Sequence, residues 1–171
     1  MDHFLNDNKM QPKVVIRRSK DGNSSIRIYS SLSGTELCVL LFDEKPDSNE
    51  VKIVDLFTKQ KFKGYGTFAT NILIQFCKKN YSENAKVYGS SYHQEYVGSH
   101  NTILEEINAL QRIRRNKFWK EFGFNVILIN PIYDRIEAVL SDLYCKTNNF
   151  ISLNKLENLI VIDNDVKEGN V

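Results

Sequence analysis

The run Lys61-Phe62-Lys63-Gly64-Tyr65-Gly66-Thr67 is the feature that leaves this chain the fewest options. It stands between two segments of different period. Before it, Val51, Ile53, Val54, Leu56 and Phe57 make a β-branched, apolar strand pattern; after it, Ala69, Ile72, Leu73 and Phe76 fall on one helical face. Two glycines therefore sit where a strand gives way to a helix start. Such a corner offers unpaired backbone N–H groups and the positive end of a helix dipole, which together suit a phosphate. Gly64 and Gly66 let an anion approach the main chain closely, and Lys61 and Lys63 add positive charge. The same glycines also suit a tight turn, and spacing alone leaves both readings open. No Gly-Lys-Ser/Thr follows, so this is not a Walker loop. The G-x-G-x-x-A near-match ending at Ala69 lacks the unit and the ribose-binding acid of a dinucleotide site.

The 171 residues, 42% of them hydrophobic, suffice for one domain with a sizeable core. A net charge of +2 implies no general attraction to nucleic acid or to a membrane surface. Cys38, Cys77 and Cys145 lie far apart in apolar runs and read as thiols of a reducing compartment, not as a disulfide frame or metal cluster. The longest apolar run, Leu37 to Phe42, is far short of the about 20 residues that cross a bilayer. Residues 1–12 are polar, without the apolar stretch of a signal peptide. The expectation is a cytoplasmic protein with a flexible leader (1–12), a single domain (13–163) and a flexible tail (164–171).

Taken in order, Lys13 to Arg18 and Ser25 to Ser30 flank the hairpin turn Lys20-Asp21-Gly22-Asn23. Glu36 to Asp43 is a third strand, and Glu50 opens the fourth, which predicts an antiparallel meander. A helix from Gly66 to about Lys79 and a strand from Lys86 to Ser91 complete a strand–helix–strand unit, which favours parallel pairing. Thr102-x-x-Glu105 is a capping box for a helix with Ile103, Leu104, Ile107, Leu110 and Ile113 on one face, stopped at Gly123. Asn125 to Ile129 is a strand. Asn130 as cap, Pro131 at the first position and the stripe Ile132, Ile136, Val139, Leu140, Leu143 predict a further helix to about Lys146. Leu159 to Ile162 reads as the final strand.

Two of these passages resemble one family. Lys61-x-x-Gly64-x-Gly66 is similar to motif A of the GNAT N-acetyltransferases, Q/R-x-x-G-x-G/A, with Lys in place of Gln or Arg. Gly64-Tyr65-Gly66-Thr67 with Asn71 resembles the histone-acetyltransferase branch. Phe118-Trp119-Lys120-Glu121-Phe122-Gly123-Phe124, about 55 residues on, resembles the end of motif B. The resemblance covers roughly Glu50 to Ile129. It implies an α/β fold: a mixed, largely antiparallel sheet with helices on both faces and a splayed parallel strand pair, here with an extra C-terminal helix. It further implies that the amides from Phe62 to Thr67 hold the pyrophosphate of acetyl-CoA. Leu56, Phe57 and Thr58 would pair with the pantetheine arm, and Phe118 and Trp119 would lie near the thioester. One departure is plain: the family carries two helices between its first two strands, and Arg18 and Ser25 are too close to enclose one. The extra helix is expected to cover that ground.

Acetyl transfer to an amine needs a base, a stabilised oxyanion and a departing thiolate. Glu50 stands eleven residues before Lys61, where the histone-acetyltransferase branch carries its glutamate, and it equally suits a solvated strand start. Asp55, beside the strand bulge that the resemblance implies and a carboxylate in an otherwise apolar strand, is the second candidate base. The family's general acid is a tyrosine at the position held here by Trp119, whose N–H is not acidic, so the role is absent or falls to Tyr88, Tyr92 or Tyr96. Arg112, Arg114, Arg115, Lys117 and Lys120 make a basic cluster that suits a solvated helix end or the 3′-phosphate of CoA. His93 and His100 have no companions at metal-ligand spacing. The leading expectation is an acetyl-CoA-dependent N-acetyltransferase acting by direct transfer on a small-molecule or protein amine. Its rival is a catalytically weak module of the same fold that binds CoA or a protein partner. A homodimer is compatible with the sequence, which does not fix the oligomeric state.

Overall fold

Antiparallel pairing in sequence order builds the first half of the sheet. β1 (Lys13–Arg18), β2 (Asn23–Tyr29), β3 (Glu36–Lys45) and β4 (Glu50–Thr58) pair in sequence, each antiparallel to the last. α1 (Tyr65–Asn80), β5 (Lys86–Tyr92), α2 (Thr102–Lys120), β6 (Asn125–Leu128), β7 (Tyr133–Val139) and β8 (Leu159–Asp163) follow. The coordinates come from a computed structural model that describes residues 12–19, 21–60, 63–92, 102–129, 133–147 and 159–163. The strands form one sheet in the order β6-β7-β5-β4-β3-β2-β1-β8. Pairing is antiparallel except for β4 with β5 and β1 with β8. The expected final strand is thus present, as a parallel neighbour of β1.

Register identifies the core face. Phe42, Ile53, Gly89 and Ile136 are successive cross-strand partners and share one side of the sheet. α1 packs there, with the Phe76 ring against Phe42 at 5.4 Å and with Phe68, Ala69, Ile72, Leu73 and Ile74 buried. α2 reaches the same side further along: Arg112 and Asn116 bond to Asp134, two residues before Ile136 on β7. Both described helices therefore cover one face. Helices on both faces were expected, and among the described residues the opposite face carries none. The reason is the turn from Ser19 to Gly22, which joins β1 to β2 directly where a helical layer would need many more residues.

The extra C-terminal helix is also overturned. Tyr133–Val139 is β7, paired to β5 and β6, followed by a 3-10 turn at Leu140–Asp142 and irregular chain to 147. Its buried residues, Asp134, Ile136, Ala138 and Leu140, alternate as a strand requires. The stripe Ile136, Val139, Leu140, Leu143 imitated a helix because the alternation runs through an aspartate. Asp134 is fully buried, and it is tolerated there because Arg112 grips both its oxygens while Asn116 donates to Oδ2 at 2.7 Å. Beyond the turn, the Asn71 side chain clasps the main chain of Lys146, accepting from its amide and donating to its carbonyl, both at 2.8 Å. That clasp fixes the irregular segment on α1.

α2 departs from its pattern as well. Ile107, Leu110 and Ile113, read as one apolar face, are exposed, and the helix packs through Asn116, Trp119 and the following Phe122 and Phe124. Gly123 ends it with φ 98, the left-handed value expected of a C-cap glycine. The side chains at the expected capping box, Thr102 and Glu105, are outside the described set, as are the leader 1–11, the loop 93–101, Asn130 to Ile132 and the tail 164–171.

Candidate functional site

The site begins where β4 and β5 part. They pair in parallel from Glu50 with Lys86 to Ile53 with Gly89, and no further. At the last pair the strands touch: a Cβ on Gly89 would lie 2.6 Å from the Ile53 carbonyl oxygen. One residue later β4 bulges. Ile53 pairs with Phe42 but Asp55 pairs with Leu41, so Val54 is the extra residue. A bulge bends its strand and raises the local twist, which carries β4 away from β5. From Asp55 onward, among the described residues, β4 is paired by β3 alone.

The gap opens into a cleft of about 630 Å³. Its vertex is formed by Ile53, Asp55 and Leu56 on β4 with Ser90 and Ser91 on β5; its mouth by Gly64, Tyr65, Gly66 and Thr67; its roof by Gln111, Arg114, Arg115, Phe118 and Trp119 of α2. At the mouth, Gly64 takes a left-handed conformation (φ 77) and no side chain caps α1 among the described residues. The amides that open a helix have no carbonyl one turn back. Such amides, with the helix dipole behind them, suit an anion, and Arg114 and Arg115 line the same cleft. Burial pulls the Arg115 guanidinium down from its ordinary value. Gly66 is helical, so its backbone does not demand glycine. A Cβ there would meet Thr58 Cγ2 at 3.5 Å, Leu56 Cδ2 at 3.7 Å and Phe118 Cε2 at 3.9 Å, which are ordinary contacts. Glycine in a helix costs about 0.5–1 kcal/mol against alanine. The helix forgoes that at the one turn bordering the cleft.

Of the residues singled out from the sequence, the fold brings Asp55, Leu56, Thr58, Gly64, Tyr65, Gly66, Thr67, Phe118 and Trp119 together around this cleft. It does not bring Glu50, Phe57 or Lys63 into the lining. Glu50 opens β4 in the doubly paired half, five residues before Asp55, roughly 17 Å along an extended strand. Phe57 is exposed. Lys61, Phe62 and the Tyr92 side chain lie outside the described residues. Tyr88 is not in the lining, and its hydroxyl accepts from Lys45 Nζ at 2.9 Å. Trp119 is a core side chain with one edge on the cleft, packed edge-on against Phe118 and Phe124. The basic cluster divides: Arg112 is committed to Asp134, Arg114 and Arg115 reach the cleft, and Lys117 and Lys120 border a separate depression beside Tyr144.

Two details at the vertex were not foreseen. The Leu56 amide donates to the Asp55 carboxylate at 2.7 Å, so this strand donor is already engaged by its own neighbour. Ser91 is 4% exposed, yet its hydroxyl has no hydrogen-bond partner among the described residues. The adjacent serines beyond Gly89, near the end of β5, were the available signal. Cys38 and Cys77 are buried away from the site, which pushes both thiols up to about 12. No group of metal-ligating side chains occurs among the described residues, and no described helix is long and apolar enough to cross a membrane.

No protein-family model matches the chain, and no curated protein sequence does. Among solved structures it is similar to the PaiA N-acetyltransferase of Thermoplasma acidophilum in complex with coenzyme A, at 13% identity and TM-score 0.46. That match takes in 67% of this chain and 59% of the other, under two thirds of its length. It is similar to the spermidine/spermine N-acetyltransferase SpeG of Vibrio cholerae, in mutant form, at 12% identity and TM-score 0.47 over 71% and 69% of the two chains. Tetrahymena GCN5 matches at 11% identity and TM-score 0.45 over 73% and 72%. At these scores none of the three bears on what the cleft holds.

Proposed function

We propose that the chain is an acyl-CoA-dependent N-acyltransferase, with acetyl-CoA as donor and a primary amine as acceptor. One observation carries the reading: a helix mouth that no described side chain caps and a strand edge that no described strand pairs line the same cleft. The first suits a diphosphate. The second suits an extended chain with amide groups, since a strand edge in a cleft recruits donors and acceptors from its guest. CoA combines both, a diphosphate and a pantetheine arm with two amides. The amides around Gly64 to Thr67 would hold the phosphates, with Arg114 and Arg115 alongside, and β4 from Leu56 to Thr58 would hold the arm. The thioester supplies an acyl group already activated for attack.

Asp55 is the base this reading favours, directly or through a water, because it stands at the vertex while Glu50 stands in the zipped half of β4. Asp55→Asn should lower turnover about 100-fold with CoA affinity unchanged, and Glu50→Gln should change neither. The reverse pattern returns the role to Glu50. The acceptor class, from polyamine to protein lysine, remains as broad as the sequence left it.

Trp119 at the cleft favours the second reading, a module that binds CoA without turnover, since indole cannot protonate a thiolate. A thermal-shift titration with CoA and acetyl-CoA, followed by thiol release across an amine panel, separates the two. Stabilisation with release supports the enzyme, stabilisation without release the binder, and no stabilisation removes both.

A further inference from the structure

We infer that the Ser91 hydroxyl is the hydrogen-bond donor to the acyl carbonyl oxygen at the vertex of the cleft, an inference that rests on the acyl-CoA reading above. A buried hydroxyl without a partner carries a desolvation cost, and a bound group that satisfies it removes that cost. Ser91 is such a group, and it lines the cleft. Its cross-strand neighbour is Asp134, the obvious acceptor, but the Asp134 oxygens are held by Arg112 and Asn116. Ser91 is therefore left facing an arrangement that already has its donors.

Position along the cleft says which part of a guest Ser91 meets. Phosphates at Gly64 to Thr67 put the opposite end of the molecule at the vertex, beyond the contact of Gly89 with Ile53. Ser91 is two residues past Gly89, about 7 Å up β5, level with Leu56 across the gap because the bulge at Val54 gives β4 one extra residue. The strand donor that could serve a carbonyl there, the Leu56 amide, is engaged by Asp55. Of the two serines at the vertex, Ser90 is partly exposed, whereas Ser91 is buried with a hydroxyl that no described residue satisfies, and a carbonyl oxygen is what it can satisfy.

In the reaction the acceptor nitrogen bonds to the acyl carbon and the carbonyl π pair moves onto oxygen, where Ser91 Oγ–H donates to it. When that pair returns, the carbon–sulfur bond breaks and sulfur departs as the thiolate of CoA. The proton shed by the amine goes to the Asp55 carboxylate. A donor aimed at the oxyanion acts most strongly in the transition state, and losing one costs about 100-fold in turnover or more.

The test compares wild type, Ser91→Ala and Ser91→Cys in melting temperature, in affinity for CoA and acetyl-CoA by calorimetry, and in thiol release with an amine panel. Expected for Ser91→Ala are a melting temperature no lower than wild type, because no internal bond is lost, and unchanged CoA affinity. Acetyl-CoA affinity should fall about 3–10-fold, as for one neutral hydrogen bond, and kcat about 100-fold. Ser91→Cys, a weaker donor of similar size, should fall between. If wild type binds without turnover, the acetyl-CoA to CoA affinity ratio alone decides. A ratio unchanged by Ser91→Ala, equal losses for both ligands, or a clear drop in melting temperature overturns the assignment while the CoA reading stands. A wild type that binds neither ligand overturns both.

Discussion

Two glycines stand at opposite ends of the cleft and are small for opposite reasons. Gly89, at the vertex, is demanded by the protein, since any Cβ would drive into the Ile53 carbonyl. Gly66, at the mouth, is not demanded by the protein, whose side chains leave a Cβ ordinary room. The difference extends to their surroundings. The vertex is bound on all sides, by strand pairing, by the bulge at Val54 and by the Asp134 network that fixes α2 over β7. The mouth is a helix end that no described side chain closes. The scaffold that closes the vertex and the mouth left for a guest should answer mutation differently, the first in stability and the second in binding, while Asp55 and Ser91, which the vertex presents to the cleft, go with the second.

The largest effect should come from Asp134→Ala. It strands Arg112 and Asn116 without their buried acceptor, and denaturant unfolding should register a loss of about 3–5 kcal/mol. A loss below about 1 kcal/mol would mean the vertex is less bound than drawn here. Gly89→Ala comes next, with the strands forced apart at their last pair and about 1–3 kcal/mol lost. Gly66→Ala should behave in the contrary sense. The fold should gain about 0.5–1 kcal/mol from helix propensity while CoA affinity drops about tenfold, near 1.4 kcal/mol. Unchanged affinity would break the contrast between the two glycines. The smallest effect is a control on all three. Burial keeps Cys38 and Cys77 protonated at pH 8, far below the value of about 12 to which each is raised, so a thiol reagent should find Cys145 alone in the native chain. Asp134→Ala and Gly89→Ala should speed the slow reaction of the other two; Gly66→Ala should not.

The sequence made the mouth legible and left the vertex obscure. Strand period, helix period and two glycines between them located α1 and its corner closely, because each signal is local. The vertex depends on contacts between distant segments. The bulge beside Asp55 was expected from the family resemblance, and it falls at Val54, whereas Ser91 carries no motif; its meaning comes from an orphaned hydroxyl that only the assembled sheet reveals. β7 was misread for a related reason. An aspartate on the core side of a strand looks like a solvent-facing residue until the arginine that neutralises it, 22 positions earlier, is brought across. Glu50 matches the family spacing from Lys61 and lies in the zipped half of β4, so the pair Asp55→Asn and Glu50→Gln decides which carboxylate is the base.

The parallel seam between β1 and β8 has a bearing on how this chain is born. Val14 finds its partner in Leu159, so while the polypeptide emerges from the ribosome the outer rim of β1 stays bare until residues 159–163 have been translated. Val14, Val15 and Ile16 make that rim a sticky one, of the kind that recruits strands from neighbouring nascent chains. Slow synthesis through residues 148–158 should therefore raise the burden on chaperones, and a short peptide spanning Leu159 to Asp163, supplied in trans, should relieve it.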